Sequence, residues 1–182
     1  SSVFSPAARS SLSGGAEVDR KPRTAGKAHW HKEDWGEQQS GTCNLGLFVI
    51  NFSEGIVRQV QGVGPGITPG QPVFWGSQAI VYVGWPEGVR RLGMSFCTNR
   101  PSKLYLAHLP GCLDASASHT VLTPDLWMAR SPRSKPGGTA RVSEAELGPV
   151  AFLGSHKAFD THQGCMELYV LDAKVGSAPR CL

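Results

Sequence analysis

The stretch Leu104–Gly111 (LYLAHLPG) decides the fold of this chain, because it is an apolar strand that ends in a glycine-bearing turn and it has two counterparts. Leu47–Gly55 (LFVINFSEG) and Leu168–Gly176 (LYVLDAKVG) follow the same plan. Their aromatic positions, Phe48, Tyr105 and Tyr169, lie 57 and 64 residues apart. That spacing is too long for a hairpin and indicates a larger repeating unit.

A second repeated stretch of sequence alternates with these three stretches. Ile80–Gly84 (IVYVG) returns 70 residues later as Val150–Gly154 (VAFLG). Each unit is therefore predicted to be a four-stranded antiparallel sheet that cannot bury both of its faces alone, which is how the blades of a β-propeller behave. The other interpretation is an ordinary antiparallel sandwich in which the similarity is only one of strand composition.

Length limits the size of this propeller. At roughly 40–60 residues per blade, 182 residues hold about three blades, and propellers typically close with four or more. We therefore expect an all-β, partial β-propeller of about three four-stranded blades, a segment of a larger protein. An open arc leaves sheet faces and edges uncovered, so the isolated chain is expected to be poorly soluble or to associate.

Two regions differ in composition. Residues 1–27 are rich in Ser, Ala, Gly and Pro and have almost no apolar periodicity, which predicts a disordered N-terminal arm, and residues 28–182 form the propeller segment. The stretch Ser131–Gly138 (SPRSKPGG) is predicted to be a long exposed connection. Strands are predicted near 45–51, 56–61, 73–76, 79–84, 92–97, 103–108, 119–123, 127–130, 149–153 and 166–171.

Charge and cysteine usage exclude several functions. A net charge of +4 from 18 basic and 14 acidic residues is spread along the chain, which argues against a nucleic-acid partner. No window approaches 18 apolar residues, which argues against a membrane span. Five cysteines, odd in number and without a C-x-x-C pair, are typical of reduced thiols in a cytoplasmic protein.

Candidate catalytic and metal sites are weak. His29 and His31 with Cys43 offer zinc ligands, but the spacing matches no finger or ribbon and a fourth ligand is missing. The nearest string to the G-x-S-x-G elbow is Gly93–Cys97 (GMSFC), where Cys replaces the final Gly, so Ser95 is expected to be a strand hydroxyl. We expect no catalytic residue, no cofactor and no metal in this chain.

Three further groups each have two interpretations. His156, Asp160 and His162 could form an acid–base cluster, but a solvated loop is the favoured interpretation. The tryptophans could form a ligand platform or fill the space between blades, which we favour: they are Trp35, Trp75, Trp85 and Trp127. Three arginines could anchor a carboxylate or form structural salt bridges: they are Arg90, Arg91 and Arg100.

Several segments, in order, resemble the N-terminal propeller of the acylaminoacyl-peptidases, also called acylamino-acid-releasing enzymes, within the prolyl oligopeptidase family of serine peptidases. The most specific piece is Phe96–Arg100 (FCTNR), since a propeller alone does not require those residue types together. The similarity covers roughly residues 26–176, but Gly26–Lys32 is polar where the family has an apolar strand. The segments are Glu33–Glu37 (EDWGE), Pro69–Trp75 (PGQPVFW), Val81–Trp85 (VYVGW) and Arg91–Arg100 (RLGMSFCTNR), with weaker matches at Ser131–Arg133 and His162–Tyr169.

The resemblance implies a propeller that gates access to an α/β-hydrolase domain of the same parent chain. It implies removal of an N-acylated amino acid from short peptides, and a parent that forms homo-oligomers. The serine, histidine and acid of that reaction would lie outside this segment. The alternative is a non-catalytic protein-interaction module built from propeller blades. A downstream G-x-S-x-G followed by Asp and His would separate the two.

Overall fold

The computed structural model describes residues 26, 29, 41–42, 45–87, 100–109, 117–135, 148–158, 165–172 and 176–182. The chain divides into two units, Ser1–Lys32 and Glu33–Leu182. In the first unit, the backbone N–H of His29 donates to the Gly26 carbonyl oxygen over 2.8 Å. The second unit holds every strand of the described residues. The disordered arm predicted for 1–27 lies almost wholly outside the described residues.

The described residues of the second unit are all β, and every strand pairing is antiparallel. No helix in this part of the chain is long and apolar enough to cross a membrane. The strands are β1 Phe48–Asn51, β2 Ile56–Gln59, β3 Ile67–Phe74, β4 Ala79–Pro86, β5 Lys103–His108, β6 Ser118–Val121, β7 Met128–Ser134, β8 Val150–Ser155, β9 Glu167–Leu171 and β10 Arg180–Cys181.

These strands form three sheets. We call β1 and β2 the half blade, the four-stranded sheet β3-β4-β5-β6 blade 1, and the four-stranded sheet β7-β8-β9-β10 blade 2. In both blades the strands are ordered in space as they are in the chain, as expected for a meander. This arrangement confirms the all-β, partial-propeller prediction. The predicted strand 92–97 lies outside the described residues.

The two blades repeat each other residue by residue. Tyr82 on β4 lies opposite Tyr105 on β5, and Phe152 on β8 lies opposite Tyr169 on β9. Both ring pairs are stacked, with centroids 5.4 and 5.5 Å apart and planes inclined by 20° and 19°. The repeat seen in the sequence is therefore a structural repeat of one blade.

The half blade is the outer half of the same unit. Phe48 on β1 is paired with Gln59 on the following strand, as Tyr105 is with Val121 and Tyr169 is with Cys181. β1 therefore corresponds to the third strand of a blade, and β2 corresponds to the fourth.

The core lies between the sheets, in two layers. The first layer packs Leu47 and Val60 of the half blade against Ile80, Tyr82 and Ala107 of blade 1. The second layer joins the other face of blade 1 to blade 2. Its buried members include Val81, Val83, Leu104 and Leu106 from blade 1 and Val150, Phe152, Tyr169 and Leu171 from blade 2. Because side chains alternate across a strand, blade 1 is apolar on both faces and is covered on both.

Two predictions of strand bounds were wrong at segments that contain proline. β3 begins at Ile67 rather than 73, and Ser131–Ser134 belongs to β7 rather than to an exposed connection. β3 has a register shift between Gly70 and Val73, which accommodates Pro72. β7 has one between Arg130 and Arg133, which accommodates Pro132. Proline has no N–H to donate, but β3 and β7 are edge strands, where a bulge tolerates it. Proline was therefore misread as the end of a strand.

The repeat predicts that Phe48, like Tyr105 and Tyr169, points into the packing between neighbouring blades, and for Phe48 this prediction is wrong. Phe48 is 58% exposed, whereas Tyr82, Phe152 and Tyr169 are 1–3% exposed and Tyr105 is half-buried. Phe48 occupies the position equivalent to Tyr105 and Tyr169, but no described sheet covers the face of β1 on which it lies. The sequence repeat correctly identified the position but could not show whether a neighbouring sheet was present.

Two glycines make room for the tyrosines of the repeat. A Cβ at Gly84 would lie 2.5 Å from the Tyr105 ring and 2.8 Å from Ile67, and one at Gly154 would lie 3.1 Å from the Tyr169 ring. In each blade the tyrosine of the third strand therefore lies over the glycine of the second. The glycine that ends the repeated stretch, Ile80–Gly84 or Val150–Gly154, therefore has a packing role in both blades.

We expect Tyr82→Ala to lower the free energy of unfolding by about 3–5 kcal/mol, because it removes a buried ring at the centre of a core layer. Arg133→Ala is the control, and its effect should stay within about 0.5 kcal/mol, because Arg133 is exposed and, among the described residues, its guanidinium donates only to the neighbouring Pro132 carbonyl. Urea unfolding followed by circular dichroism measures both. A neutral Tyr82→Ala would contradict the assignment of this core layer.

We expect Gly84→Ala to destabilise the chain by about 1–3 kcal/mol, because the added methyl group overlaps the Tyr105 ring and Ile67. Gly148→Ala is the matched control, since its Cβ would meet nothing closer than 3.5 Å. The same unfolding measurement compares them. Equal stabilities for the two variants would show that Tyr105 does not depend on a glycine beneath it.

Candidate functional site

The joint between blades 1 and 2 is the most elaborate polar region that the structure describes. It brings together the edge strands β3 and β7, which contact each other. Gln71 and Ser131 occupy equivalent bulges and have φ values of 49° and 54°, a conformation that is uncommon for residues other than glycine. Strained backbone of this kind often marks functional positions, and it persists only where neighbouring contacts stabilise it.

The two bulges are bonded to each other. The Ser131 N–H donates to Oε1 of Gln71 over 2.7 Å, so the side chain of one bulge satisfies the backbone of the next. Three residues further along β7, Oγ of Ser134 donates to the Phe74 carbonyl oxygen over 2.5 Å. These two bonds connect the edge strands although β3 and β7 do not pair as neighbours in a sheet.

A second set of bonds joins the start of β7 to the residue before β5. The Ala129 N–H donates to the Ser102 carbonyl oxygen over 3.0 Å, and Oγ of Ser102 donates to the Ala129 carbonyl oxygen over 2.9 Å. Both residues are almost completely buried, so these bonds satisfy groups that water cannot reach. The two blades are therefore held by backbone bonds as well as by apolar packing.

Trp75 contributes to the joint from the turn after β3. Its ring is 1% exposed within the core layer between the blades, and its Nε1–H donates to the Gly148 carbonyl oxygen over 2.7 Å. The prediction that the tryptophans fill the space between blades is confirmed for Trp75. Trp85 is half-buried against the same layer, Trp127 is 37% exposed, and Trp35 lies outside the described residues.

Lys103 holds the connection that leads from blade 1 to blade 2. Its Nζ donates to the carbonyl oxygens of Pro124 and Leu126. Burial lowers the pKa of Lys103, and the nearby Asp125 carboxylate partly opposes that shift. The lysine is therefore occupied in fixing the path of the chain between the two blades.

Arginines lie at the same joint. Nε of Arg130, at the β7 bulge, is buried and has no hydrogen-bond partner among the described residues. Arg100 is 7% exposed, which agrees with a structural role more than with an open anchor for a carboxylate. Arg90 and Arg91 lie outside the described residues.

His156, the described member of the predicted acid–base cluster, has other partners. Nδ1 of His156 lies 3.3 Å from the Asp125 carbonyl oxygen, and its ring meets Tyr169 edge-on at 6.1 Å. Asp160 and His162, the rest of that predicted cluster, lie outside the described residues, as do Ser95, His31 and Cys43. Among the residues that are described, no group of three or more His, Cys, Asp or Glu side chains could hold a metal ion.

His119 connects the half blade to blade 1. Its Nε2 lies 3.1 Å from the Gln61 carbonyl oxygen, which can only accept, so Nε2 carries the proton. Nδ1 then accepts from the Tyr82 hydroxyl over 2.9 Å. The imidazole is therefore used as a structural bridge. Sequence reasoning missed this pair, and it missed Gln71 and Ser131, although Gln-Pro and Ser-Pro at matching positions of the repeat were a signal.

The tyrosines of the core layers have raised pKa values. Burial, together with the hydrogen bond from the Tyr169 hydroxyl to Oε2 of Glu167 over 2.8 Å, raises the pKa of Tyr169 to about 12. Burial, with a smaller contribution from Tyr105, also raises the pKa of Tyr82. The folded chain therefore keeps these phenols neutral at pH values where an unfolded chain would ionise them.

A stack of antiparallel four-stranded sheets joined face to face in chain order defines a partial β-propeller. Comparison with known proteins then identifies the family to which this propeller belongs. The sequence model of the family "Acylamino-acid-releasing enzyme, N-terminal domain" matches residues 3–147. The chain belongs to this family.

Individual relatives carry the same name. The chain is 32% identical over 181 residues to acylamino-acid-releasing enzyme 1 of Oryza sativa subsp. japonica, a match that covers 87% of this chain and 22% of the relative. It is 36% identical over 106 residues to the acylamino-acid-releasing enzyme of Sus scrofa, covering 57% of this chain and 14% of the relative. The human enzyme is 37% identical over the same length and the same shares. The chain thus spans less than a quarter of these relatives.

We expect the stability of the chain to fall between pH 10 and pH 12, partly through Tyr169. A raised pKa in the folded state means that its stabilising effect is complete below about pH 10 and is lost as the pH rises to about 12. Tyr169→Phe should therefore lose less stability than the unmodified chain between pH 9 and pH 11.5, measured by urea unfolding. Phe152→Leu, which removes no titrating group, should keep the original pH dependence. Identical slopes for Tyr169→Phe and the unmodified chain would contradict this.

Proposed function

We propose that this chain is the N-terminal propeller portion of a serine peptidase that releases N-acylated amino acids from short peptides. The observation that carries the proposal is the family match over residues 3–147. The name of that family and of the relatives describes the reaction, and the chain spans only 22% and 14% of the first two relatives. The remaining length would supply the α/β-hydrolase domain of the parent, with its serine, histidine and acid.

In this proposal the propeller selects substrates by size. Acyl-peptide hydrolysis needs a serine activated by a histidine, an acid that orients the histidine, and donors for the oxyanion. In this proposal these groups lie elsewhere in the parent, and among the described residues His119 and His156 are instead bonded to a tyrosine hydroxyl and to backbone oxygens. Its role would be to surround the active site with blades that cannot separate, so that only short peptides enter.

The joint between the blades supports such a role, because a gate must resist opening. Apolar packing between the blades is reinforced by the bonds of Gln71 with Ser131, Ser102 with Ala129 and Trp75 with Gly148. We also propose that the parent is cytoplasmic and homo-oligomeric. The exposed, unpaired thiols of Cys165 and Cys181 agree with a reducing compartment.

A non-catalytic protein-interaction module is the alternative function. It has the same blades and the same joint, so the described residues do not discriminate between the two. The discriminating observation is the rest of the parent sequence: the peptidase requires a G-x-S-x-G elbow followed by Asp and His, and the interaction module does not.

We expect Trp75→Phe in the full-length parent to change substrate selection. The variant keeps an aromatic ring in the core but removes the hydrogen bond to Gly148 and leaves that carbonyl without its donor, which weakens the blade joint by about 1 kcal/mol. Cleavage of a long N-acetylated polypeptide should therefore rise relative to that of an acetyl-amino-acid anilide. The measurement is the ratio of kcat/KM for the two substrates.

Trp127→Phe is the matched control, because Trp127 is 37% exposed and its replacement leaves the core layer intact. It should preserve the ratio. A parent that hydrolyses neither substrate would reject the peptidase. A parent that hydrolyses the anilide but shows the same ratio in both variants would reject gating through this joint.

A further inference from the structure

A histidine lies at the contact between the half blade and blade 1. His119 is on β6 opposite Ala107, which is buried in the layer between these two sheets. Paired residues share one face of a sheet, so the imidazole is on the face of blade 1 that meets the half blade. The side chain is half-buried, so a proton from solvent can reach it. His119 therefore combines a position inside a joint with access to solvent.

The imidazole connects the two sheets through both of its ring nitrogens. Nε2 donates to the carbonyl oxygen of Gln61, which follows the buried Val60 and also accepts from the Ala117 N–H over 3.2 Å. Nδ1 accepts from the Tyr82 hydroxyl, and the two rings meet edge-on with centroids 5.7 Å apart. Tyr82 is 1% exposed, and its hydroxyl has no other hydrogen-bond partner among the described residues. The hydroxyl thus depends on a neutral imidazole for its acceptor.

The joint between blades 1 and 2 has a different side chain at the corresponding place. The position of Tyr82 in blade 1 is occupied in blade 2 by Phe152, which has no hydroxyl. The ring of Phe152 is nevertheless buried in its layer and stacked on a tyrosine, as the ring of Tyr82 is. A phenylalanine at position 82 would therefore keep the packing of a blade and remove only the bond to the histidine.

Protonation changes the bonds that the imidazole can make. Both ring nitrogens of an imidazolium are donors, so the bond to the Gln61 carbonyl survives but Nδ1 no longer accepts from Tyr82. The hydroxyl could accept from Nδ1 only by turning its own hydrogen away, towards no acceptor among the described residues. Burial raises the pKa of Tyr82, so the phenol stays neutral and does not balance the positive charge. Protonation thus leaves a buried donor without a partner, which costs stability.

The other groups that face this layer provide no negative charge. Blade 1 contributes the phenols of Tyr82 and Tyr105, and the half blade contributes Arg58, which lies opposite Val49 on the face towards blade 1. The connection 60–63 carries no charged residue. His108 lies on the other face of blade 1, because it neighbours Ala107 along β5.

The carboxylates of the described residues lie elsewhere. Glu54 is in the turn at the opposite end of β2 from Gln61, and Glu87 accepts a hydrogen bond from Thr68 over 2.7 Å. The remaining carboxylates belong to blade 2 or to the chain next to its strands: they are Asp125, Glu167 and Asp172. An imidazolium at this joint would therefore gain a positive charge without a described carboxylate to pair with it.

We propose that His119 is a pH-sensitive latch between the half blade and blade 1. The neutral imidazole bonds Tyr82 and Gln61 and holds the two sheets together. Histidine side chains gain a proton between about pH 8 and pH 5, and in this range the bond from Tyr82 is lost. A group that must be neutral in the folded state stabilises it at high pH, and that stabilisation disappears as the pH falls. The latch would act whether or not the parent is a peptidase.

Urea unfolding at pH 7.5 and pH 5.5 tests the latch. His119→Gln removes the titrating ring, and Tyr82→Phe removes the hydroxyl. Between the two pH values, the equilibrium constant for folding should fall about fivefold more in the unmodified chain than in either variant, since about one hydrogen bond is lost. His108→Gln is the matched control, because this histidine lies on the neighbouring strand and faces away from the half blade. It should keep the pH dependence of the unmodified chain.

Amide hydrogen exchange gives a local measurement of the same effect. The Ala117 N–H donates to the Gln61 carbonyl at the latch, and the Ala129 N–H donates to the Ser102 carbonyl at the joint between blades 1 and 2. After correction for the direct effect of pH on exchange chemistry, protection of Ala117 should fall about fivefold from pH 7.5 to pH 5.5 in the unmodified chain. It should not fall in His119→Gln, and protection of Ala129 should stay nearly constant in both.

Four results would overturn the latch. Equal pH dependence in the unmodified chain and in His119→Gln would mean that this imidazole does not sense pH. Full pH dependence in Tyr82→Phe would mean that the hydroxyl is not involved. A gain in stability of the unmodified chain over His119→Gln at pH 5.5 would mean that a carboxylate pairs with the imidazolium. Equal losses of protection at Ala117 and Ala129 would mean general unfolding without a local opening.

Discussion

The structure depends on one constraint: each sheet of this chain is apolar on both faces and needs a sheet on either side. β4 shows this most clearly, because six consecutive residues from Ala79 to Gly84 are buried. A strand of this kind cannot lie at the surface of a two-layer sandwich, which would leave alternate residues in water. Stacking in chain order satisfies the constraint for blade 1, whereas no described sheet covers the outer face of the half blade or of blade 2.

The repeated features follow from this stacking. A tyrosine of the third strand must lie flat between two sheets, so the second strand carries a glycine beneath it, as Gly84 lies beneath Tyr105 and Gly154 beneath Tyr169. Each blade also begins with a bulged edge strand containing a proline. These features recur because each blade meets the same geometric requirements, although some of the side chains at equivalent positions differ between the two blades.

The joint between the blades relates the fold to the proposed gating role. Apolar layers alone could slide, because the hydrophobic effect is not directional. The bonds at the Gln71 and Ser131 bulges, at Ser102 and Ala129, and at Trp75 and Gly148 have defined directions and fix one blade relative to the other. Blades joined in this way would keep a constant opening in a larger propeller.

The sequence by itself determined the fold class, the repeat and most strand positions, since period-2 apolar runs and glycine turns are local signals. It also identified the equivalence of Phe48, Tyr105 and Tyr169, and the resemblance to the peptidase family. Only the tertiary structure decided that β3 and β7 continue through Pro72 and Pro132, because tolerance of proline depends on a strand lying at a sheet edge. It also decided that Phe48 is exposed and Tyr169 buried, because burial depends on which neighbouring sheet is present. The pairing of Tyr82 with His119 and of Gln71 with Ser131 joins residues 37 and 60 positions apart, a separation at which no local pattern specifies a partner.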